Sequence, residues 1–166
     1  MHLPRMLRIP AVLLLTVVIA AGYASSAAAA EKHVKPLSIE RSGLLILIRS
    51  ALTALDQANK TGNYTLLRDL GGPAFQENNA TRLGEVFAPL RQQKVDLSSV
   101  LVLEPLITLG PQIEGNGIMR IGGSFPTIPR QINFQIAYQP VGPVWKLYGI
   151  SVTTSNPQPT PTTPHP

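Results

Sequence analysis

The hydrophobic pattern of this chain changes period near residue 100. In "LSIERSGLLILIRSALTALDQANK", Leu44, Leu47, Ile48, Ala51, Leu52 and Leu55 recur at helical spacing. In "QINFQIAYQ", Ile132, Phe134, Ile136 and Tyr138 alternate with Gln131, Asn133, Gln135 and Gln139, the period of a half-buried strand. Helices first and strands after define an α+β chain, with the helices packed on one face of a sheet.

The helical half reads as three N-terminal helices. The first spans Ile39 to Asn59, with Ser38 as N-cap and Gly62 just past its end, where a left-handed residue is favoured. The second starts at Asn63 and stops at Gly71-Gly72-Pro73. In "PAFQEN", a single turn or loop, Phe75 needs a core. The third, "NATRLGEVFAPLRQQ", has Asn79 as cap, Leu83, Val86, Phe87 and Leu90 on one side, and a kink or an irregular last turn at Pro89.

The second half reads as four strands. They are "VLVLEPLITL" with a bulge at Pro105, "IMRIGGSF", "QINFQIAYQ" and "PVWKLYGISV". The connections are "PQIEGNG", "PTIP" and a four-residue "PVGP" loop that would set Trp145 beside Tyr138. Short turns between successive strands make an antiparallel meander. Gly122-Gly123, inside a strand pattern, marks a bend or bulge rather than a phosphate loop.

The ends of the chain read differently. Residues 1–30 run from "MHLPRMLR" through an apolar stretch to "YASSAAAA", the order of a cleaved export signal, with a mature start near Glu31 and a periplasmic or secreted product. The alternative is an uncleaved N-terminal membrane anchor, since a span needs about 20 apolar residues. Residues 31–36 form a polar linker, 37–154 the domain, and 155–166 a disordered Pro/Thr-rich tail with nothing apolar to bury. The net charge of +5 includes Arg5 and Arg8, so it falls to +3 without the leader. No basic cluster supports a nucleic-acid partner.

The element order resembles the NTF2-like (cystatin-like) superfamily. The residues that carry the likeness are the long first helix, "TGNYTLL", the Phe of "PAF", the third helix, and curved strands ending in "WKLYGISV". The resemblance implies a cone, in which a bent four-stranded sheet wraps around helices and leaves an apolar pocket. It also implies a choice between enzymes such as isomerases or dehydratases and non-catalytic binding or accessory domains. Phe87, Arg120, Phe134, Tyr138 and Tyr148 are the pocket candidates.

The chemistry available is narrow. The chain has no Cys, which removes disulfides and thiolate chemistry together. His2, His33 and His165 lie in the leader, the linker and the tail, so the domain lacks the commonest general base and metal ligand. No cofactor or metal is implied. Glu104 and Arg120 sit in apolar strand patterns and would face each other across a hairpin. That is an exposed cross-strand pair, or else a carboxylate base beside an anion-binding Arg. Glu104 with Tyr138 or Tyr148 would supply the carboxylate and phenol of a cofactor-free isomerase or lyase. The simpler reading makes the tyrosines, Tyr64 included, core residues with a polar tip. Asp69 and Asp96 read as turn or cap acids, and Asp56 as a residue on the wet side of the first helix. The sequons at Asn59, Asn63 and Asn79 compete with the need for helix caps at the last two.

The functional expectation is therefore an exported, non-catalytic domain that binds an apolar small molecule or a protein partner. The alternatives are the cofactor-free isomerase or lyase and a structural accessory of the cell envelope. In "WKLYGISV" both faces look apolar, and this suggests a homodimer through the outer sheet face, beside the neutral amides of the neighbouring strand.

Overall fold

The computed structural model describes residues 35–36 and 40–157. The leader, His33, the Ser38 cap and residues 158–166 of the tail lie outside the described residues. The elements are β1 (Lys35–Pro36), α1 (Arg41–Thr61), α2 (Thr65–Asp69), α3 (Pro73–Gln76), α4 (Ala80–Val86), α5 (Ala88–Gln92), a 3-10 turn (Ser98–Leu101), β2 (Leu106–Ile113), β3 (Met119–Phe125), β4 (Gln131–Val141) and β5 (Val144–Ser155). The α+β class and the antiparallel meander are as expected. The four long strands follow the order β2-β3-β4-β5, and β1, drawn from the supposed linker, pairs with Gln112 and Ile113 at the β2 edge.

The three expected helices resolve into five. α1 begins at Arg41 rather than Ile39, with Glu40 at the N-cap position and no side-chain cap bond. It ends as its sequence requires: Gly62 takes φ 74° and returns its N–H to the Ala58 carbonyl. The second helix shortens to α2, where Asn63 Oδ1 accepts the Thr65 N–H at 3.0 Å. Pro73 opens the single turn of α3, and Phe75 is buried there. Asn79 caps α4 by accepting the Arg82 N–H at 2.8 Å. The kink at Pro89 is a full break at Phe87, which leaves Pro89 in the first turn of α5, where its missing N–H costs nothing.

The strands also shift. Val100 and Leu101 belong to the 3-10 turn, and β2 starts only after Pro105. Its pairing with β3 is irregular between Ile107 and Leu109 and again before Gln112. "PQI" extends β2, and the turn narrows to Glu114–Gly117, closed by Gly117 N–H to the Glu114 carbonyl at 2.8 Å. Pairing of β4 with β5 continues to Val141 and Val144, so Gly142 (φ 59°) and Pro143 alone make the turn. Trp145 therefore sits opposite Pro140 and not beside Tyr138. β5 runs on through Ser155, one residue into the expected tail.

The apparent two-faced burial of "WKLYGISV" has a different cause from the one expected. Tyr138 pairs with Leu147, and the next rung pairs Ala137 with Gly149, so Tyr148 is an extra residue in a β-bulge. The bulge reverses the alternation. Trp145 and Leu147 before it, and Ile150 and Val152 after it, all pack on the one core. The outward side of β5 carries Tyr148, Ser151, Thr153 and Ser155 instead, and it is not an apolar second face.

That core lies between the sheet and α1, which contributes Leu44, Ile48, Leu52 and Leu55 against Met119, Ile121, Phe134, Ile136 and Leu147. Asp56 departs from its expected place. It is not on the wet side but 2 % exposed. Its Oδ1 accepts the Leu97 N–H at 3.0 Å and its Oδ2 accepts from Lys60 Nζ at 2.7 Å. A buried carboxylate thus ties α1 to the chain leading into the 3-10 turn. Asp96 is the turn acid expected, accepting from the Ser98 N–H and hydroxyl, and it also pairs with Lys60 at 2.9 Å.

Candidate functional site

α1 is apolar beyond the stripe that faces the sheet. Leu45 and Ile46, in the run "LLILI", lie off that stripe, and Ala54 of the core borders it. They form one wall of an open groove of about 710 Å³ with Leu66 and Leu70 of the α2 region and Leu101 of the 3-10 turn. Ile46, Leu66 and Leu101 are each more than half exposed. Arg49 fixes the far wall: Nε donates to the Val100 carbonyl at 3.1 Å and Nη2 to the Leu103 carbonyl at 3.0 Å. Thr53, also in the lining, keeps a buried Oγ1 with no partner among the described residues. The sequence reading missed this groove. The signal was present, because a helix that is apolar around more than one face must bury more than one face.

The five pocket candidates divide between the two faces of the sheet. Phe87, Phe134 and Tyr138 are 5 %, 2 % and 4 % exposed and belong to the packed core. Phe87 stacks on Tyr64, whose hydroxyl donates to Asn59 at 2.6 Å and accepts from Arg91. Arg120 and Tyr148 lie on the outer face, around a shallow hollow of about 210 Å³ shared with Gln135, Ala137 and Ser151.

The Glu104 carboxylate and the Tyr138 phenol each bind other partners. Glu104 does not face Arg120. It precedes β2, stands exposed, and accepts from Arg41 Nη2 at 2.8 Å and Arg49 Nη2 at 3.0 Å. Those two guanidiniums, Arg41 foremost, hold its carboxyl below the ordinary carboxylate range. Arg120 is registered with Gln112 and donates to Glu114 Oε1 at 2.7 Å. The Tyr138 hydroxyl donates to the Leu47 carbonyl at 2.6 Å, and burial pushes its phenol well above the usual value.

A third groove, of about 470 Å³, lies beside β5. Ile150 to Thr154 form one wall, and Val86, Phe87, Pro89 and Leu90 form the other, with Gln93 and Arg130 also in its lining. Among the described residues no group of three or more His, Cys, Asp or Glu could hold a metal ion, and no helix is long and apolar enough to cross a membrane. No family model, curated protein or solved structure matches the chain.

Proposed function

We propose that this chain is an exported, non-catalytic binding or accessory domain, and that the groove along α1 holds its ligand, an apolar small molecule. One observation carries the reading. Ile46, Leu66 and Leu101, from three separate elements, converge with Leu45, Leu70 and Ala54 on one open groove, whose polar lining is Arg49, Gln57 and three small hydroxyl side chains. Binding sites for small molecules are apolar concavities of this size with a few placed polar groups. Arg49 and Gln57 in the lining supply such groups.

The helix-then-meander order, with α1 laid across the sheet, supports reading the fold as an NTF2-like cone. The core packing of Phe87, Phe134 and Tyr138 favours a ligand outside such a cone. The non-catalytic reading draws on Glu104 being tied to Arg41 and Arg49 while the Tyr138 hydroxyl is tied to the Leu47 carbonyl.

Native mass spectrometry of the purified protein tests the proposal, with 1-anilinonaphthalene-8-sulfonate as a displaceable reporter. A co-purifying apolar ligand that leaves when Leu66→Glu or Ile46→Asp is introduced, with the fold intact, is the expected result. A protein that carries no ligand, and whose reporter binding is the same in both variants, would overturn it.

A further inference from the structure

β5 is an edge strand of 12 residues. An open edge offers unpaired N–H and C=O groups, and natural sheets cover or blunt such edges. The first half of this one is covered. The Gly72 N–H donates to the Leu147 carbonyl at 2.8 Å, the Leu147 N–H donates to the Leu70 carbonyl at 3.1 Å, and Gly71 forms a parallel bridge with Leu147. Lys146 and the bulge at Tyr148 blunt the same region. From Gly149 to Ser155 there is no charge, no proline and no bulge. Alternate residues of that stretch point their backbone groups away from β4, and no described residue bonds to them.

The groove beside this half has the form that strand addition requires. One wall is the edge backbone of Ile150–Thr154, and the other is a helical wall of Val86, Phe87, Pro89 and Leu90. Val86 is 51 % exposed although it lines the groove. Arg130 precedes Gln131, the partner of Ser155, so it marks the end of the groove toward the β5 C-terminus. Its guanidinium donates to Gln93 Oε1 at 3.0 Å, and no described carboxylate pairs with it.

We propose that the uncovered edge of β5, from Gly149 to Ser155, takes an extended peptide segment of a partner protein as an added strand, with apolar side chains at alternate positions entering the groove beside α4 and α5 and a carboxylate at Arg130. Main-chain hydrogen bonds would supply affinity and the helical wall specificity. The carboxylate is either an acidic side chain or the peptide's own C-terminus. The site is separate from the α1 groove and does not depend on it.

The test pans the purified full chain against a random decapeptide library with free C-termini and measures enriched peptides by fluorescence anisotropy. Expected is an enrichment of alternating apolar residues with a carboxylate at one end. N-methylation of every second amide should weaken binding about tenfold or more, the loss of one to two net hydrogen bonds, while N-methylation of the intervening amides is tolerated. Arg130→Glu should weaken it by a similar factor with the urea midpoint unchanged. C-terminal amidation separates the two carboxylate sources. Three outcomes would each overturn the proposal: no enrichment, binding indifferent to N-methylation at every position, or a concentration-dependent dimer by light scattering that Thr153→Glu dissolves. The last would assign the edge to a second copy of the chain.

Discussion

Leu147 and Ile150 both enter the core, although three residues along one strand should place them on opposite faces. The extra residue, Tyr148, accounts for it and is itself 39 % exposed. Deleting Tyr148 would restore strict alternation and turn Ile150 and Val152 outward, because a one-residue slip reverses every later side chain. The deletion should abolish cooperative urea unfolding. Tyr148→Ala keeps the residue count and should cost less than about 1 kcal/mol, as for an exposed side chain. Equal losses in the two variants would mean that the ring, and not the bulge, holds the strand.

Much of this fold is legible in the sequence wherever a local signal has one meaning. Gly62 and Asn79 act as the caps their residue types imply, and the alternation in β4 gives its inward face correctly. The misreadings arise where a local pattern is overridden at long range. "WKLYGISV" cannot show a bulge, because the bulge is a property of its pairing with Ala137 and Tyr138. Glu104 and Arg120 would face each other only across a hairpin centred near residue 112, but the turn closes at 114–117, Arg120 pairs with Gln112, and Glu104 lies before β2 on Arg41 and Arg49. Asp56 looks like any helix acid until the Leu97 N–H arrives 41 residues later in the chain. The α1 groove was readable in part, since Leu45 and Ile46 were surplus to the core stripe.

Asp56 lends itself to a direct test. Asp56→Ala leaves the Leu97 N–H without its acceptor, removes the buried partner of Lys60 and opens a small void. The expected cost is about 1–3 kcal/mol, the penalty of leaving the buried Leu97 N–H unpaired, because Lys60 is half-exposed and keeps Asp96. Asp56→Asn keeps an acceptor for Leu97 and should cost distinctly less. Urea denaturation of both variants checks the order, and equal costs would show that charge rather than the hydrogen bond dominates.

Asp96 gives a pH dependence. Its hydrogen bond from Lys60, followed by those from Ser98, lowers its carboxyl from 3.8 to about 2. The folded form therefore holds the anion more firmly than the unfolded form. The stabilisation is complete above the unfolded value near 3.8 and is lost as pH falls toward about 2. The side chain is 64 % exposed, so solvent screening keeps the effect to about 1 kcal/mol or less. Asp96→Asn should flatten the stability profile across that acid window and leave the slope above pH 5 unchanged. A variant profile parallel to the parent's through pH 2–4 would remove Asp96 as the source.

Tyr138 tests whether a phenol proposed for catalysis is structural. Its hydroxyl donates to Leu47 from a buried site, so Tyr138→Phe should cost about 0.5–1.5 kcal/mol and alter nothing else. Ultraviolet titration should show one phenol fewer only at the alkaline extreme, since burial raises this one. A loss of ligand binding in a stable Tyr138→Phe protein would return the residue to the functional site.

The glycine pair of β3 carries the sharpest steric prediction. Gly123 is registered with Ile107 and Gly122 with Leu109, across the irregular stretch of β2. A Cβ on Gly123 would run into the Leu106 carbonyl and would stand 3.0 Å from Phe134 Cζ, with Ile107 Cα at 3.2 Å. Two of those three atoms are backbone and cannot rotate away. The β2 strand would have to lift from β3 where the core residues Phe125 and Phe134 pack on each other. Gly123→Ala should therefore cost about 1–3 kcal/mol, the range for overpacking a filled interior. Gly110, in β2, has nothing within 4 Å of an added Cβ, and its φ is not in the left-handed region. Gly110→Ala should fall within about 0.5 kcal/mol of the parent, as for an unencumbered surface change. Chemical denaturation of the two variants side by side reads the difference. If both are neutral, β2 and β3 do not approach as closely as the register requires, and the glycines serve the backbone alone.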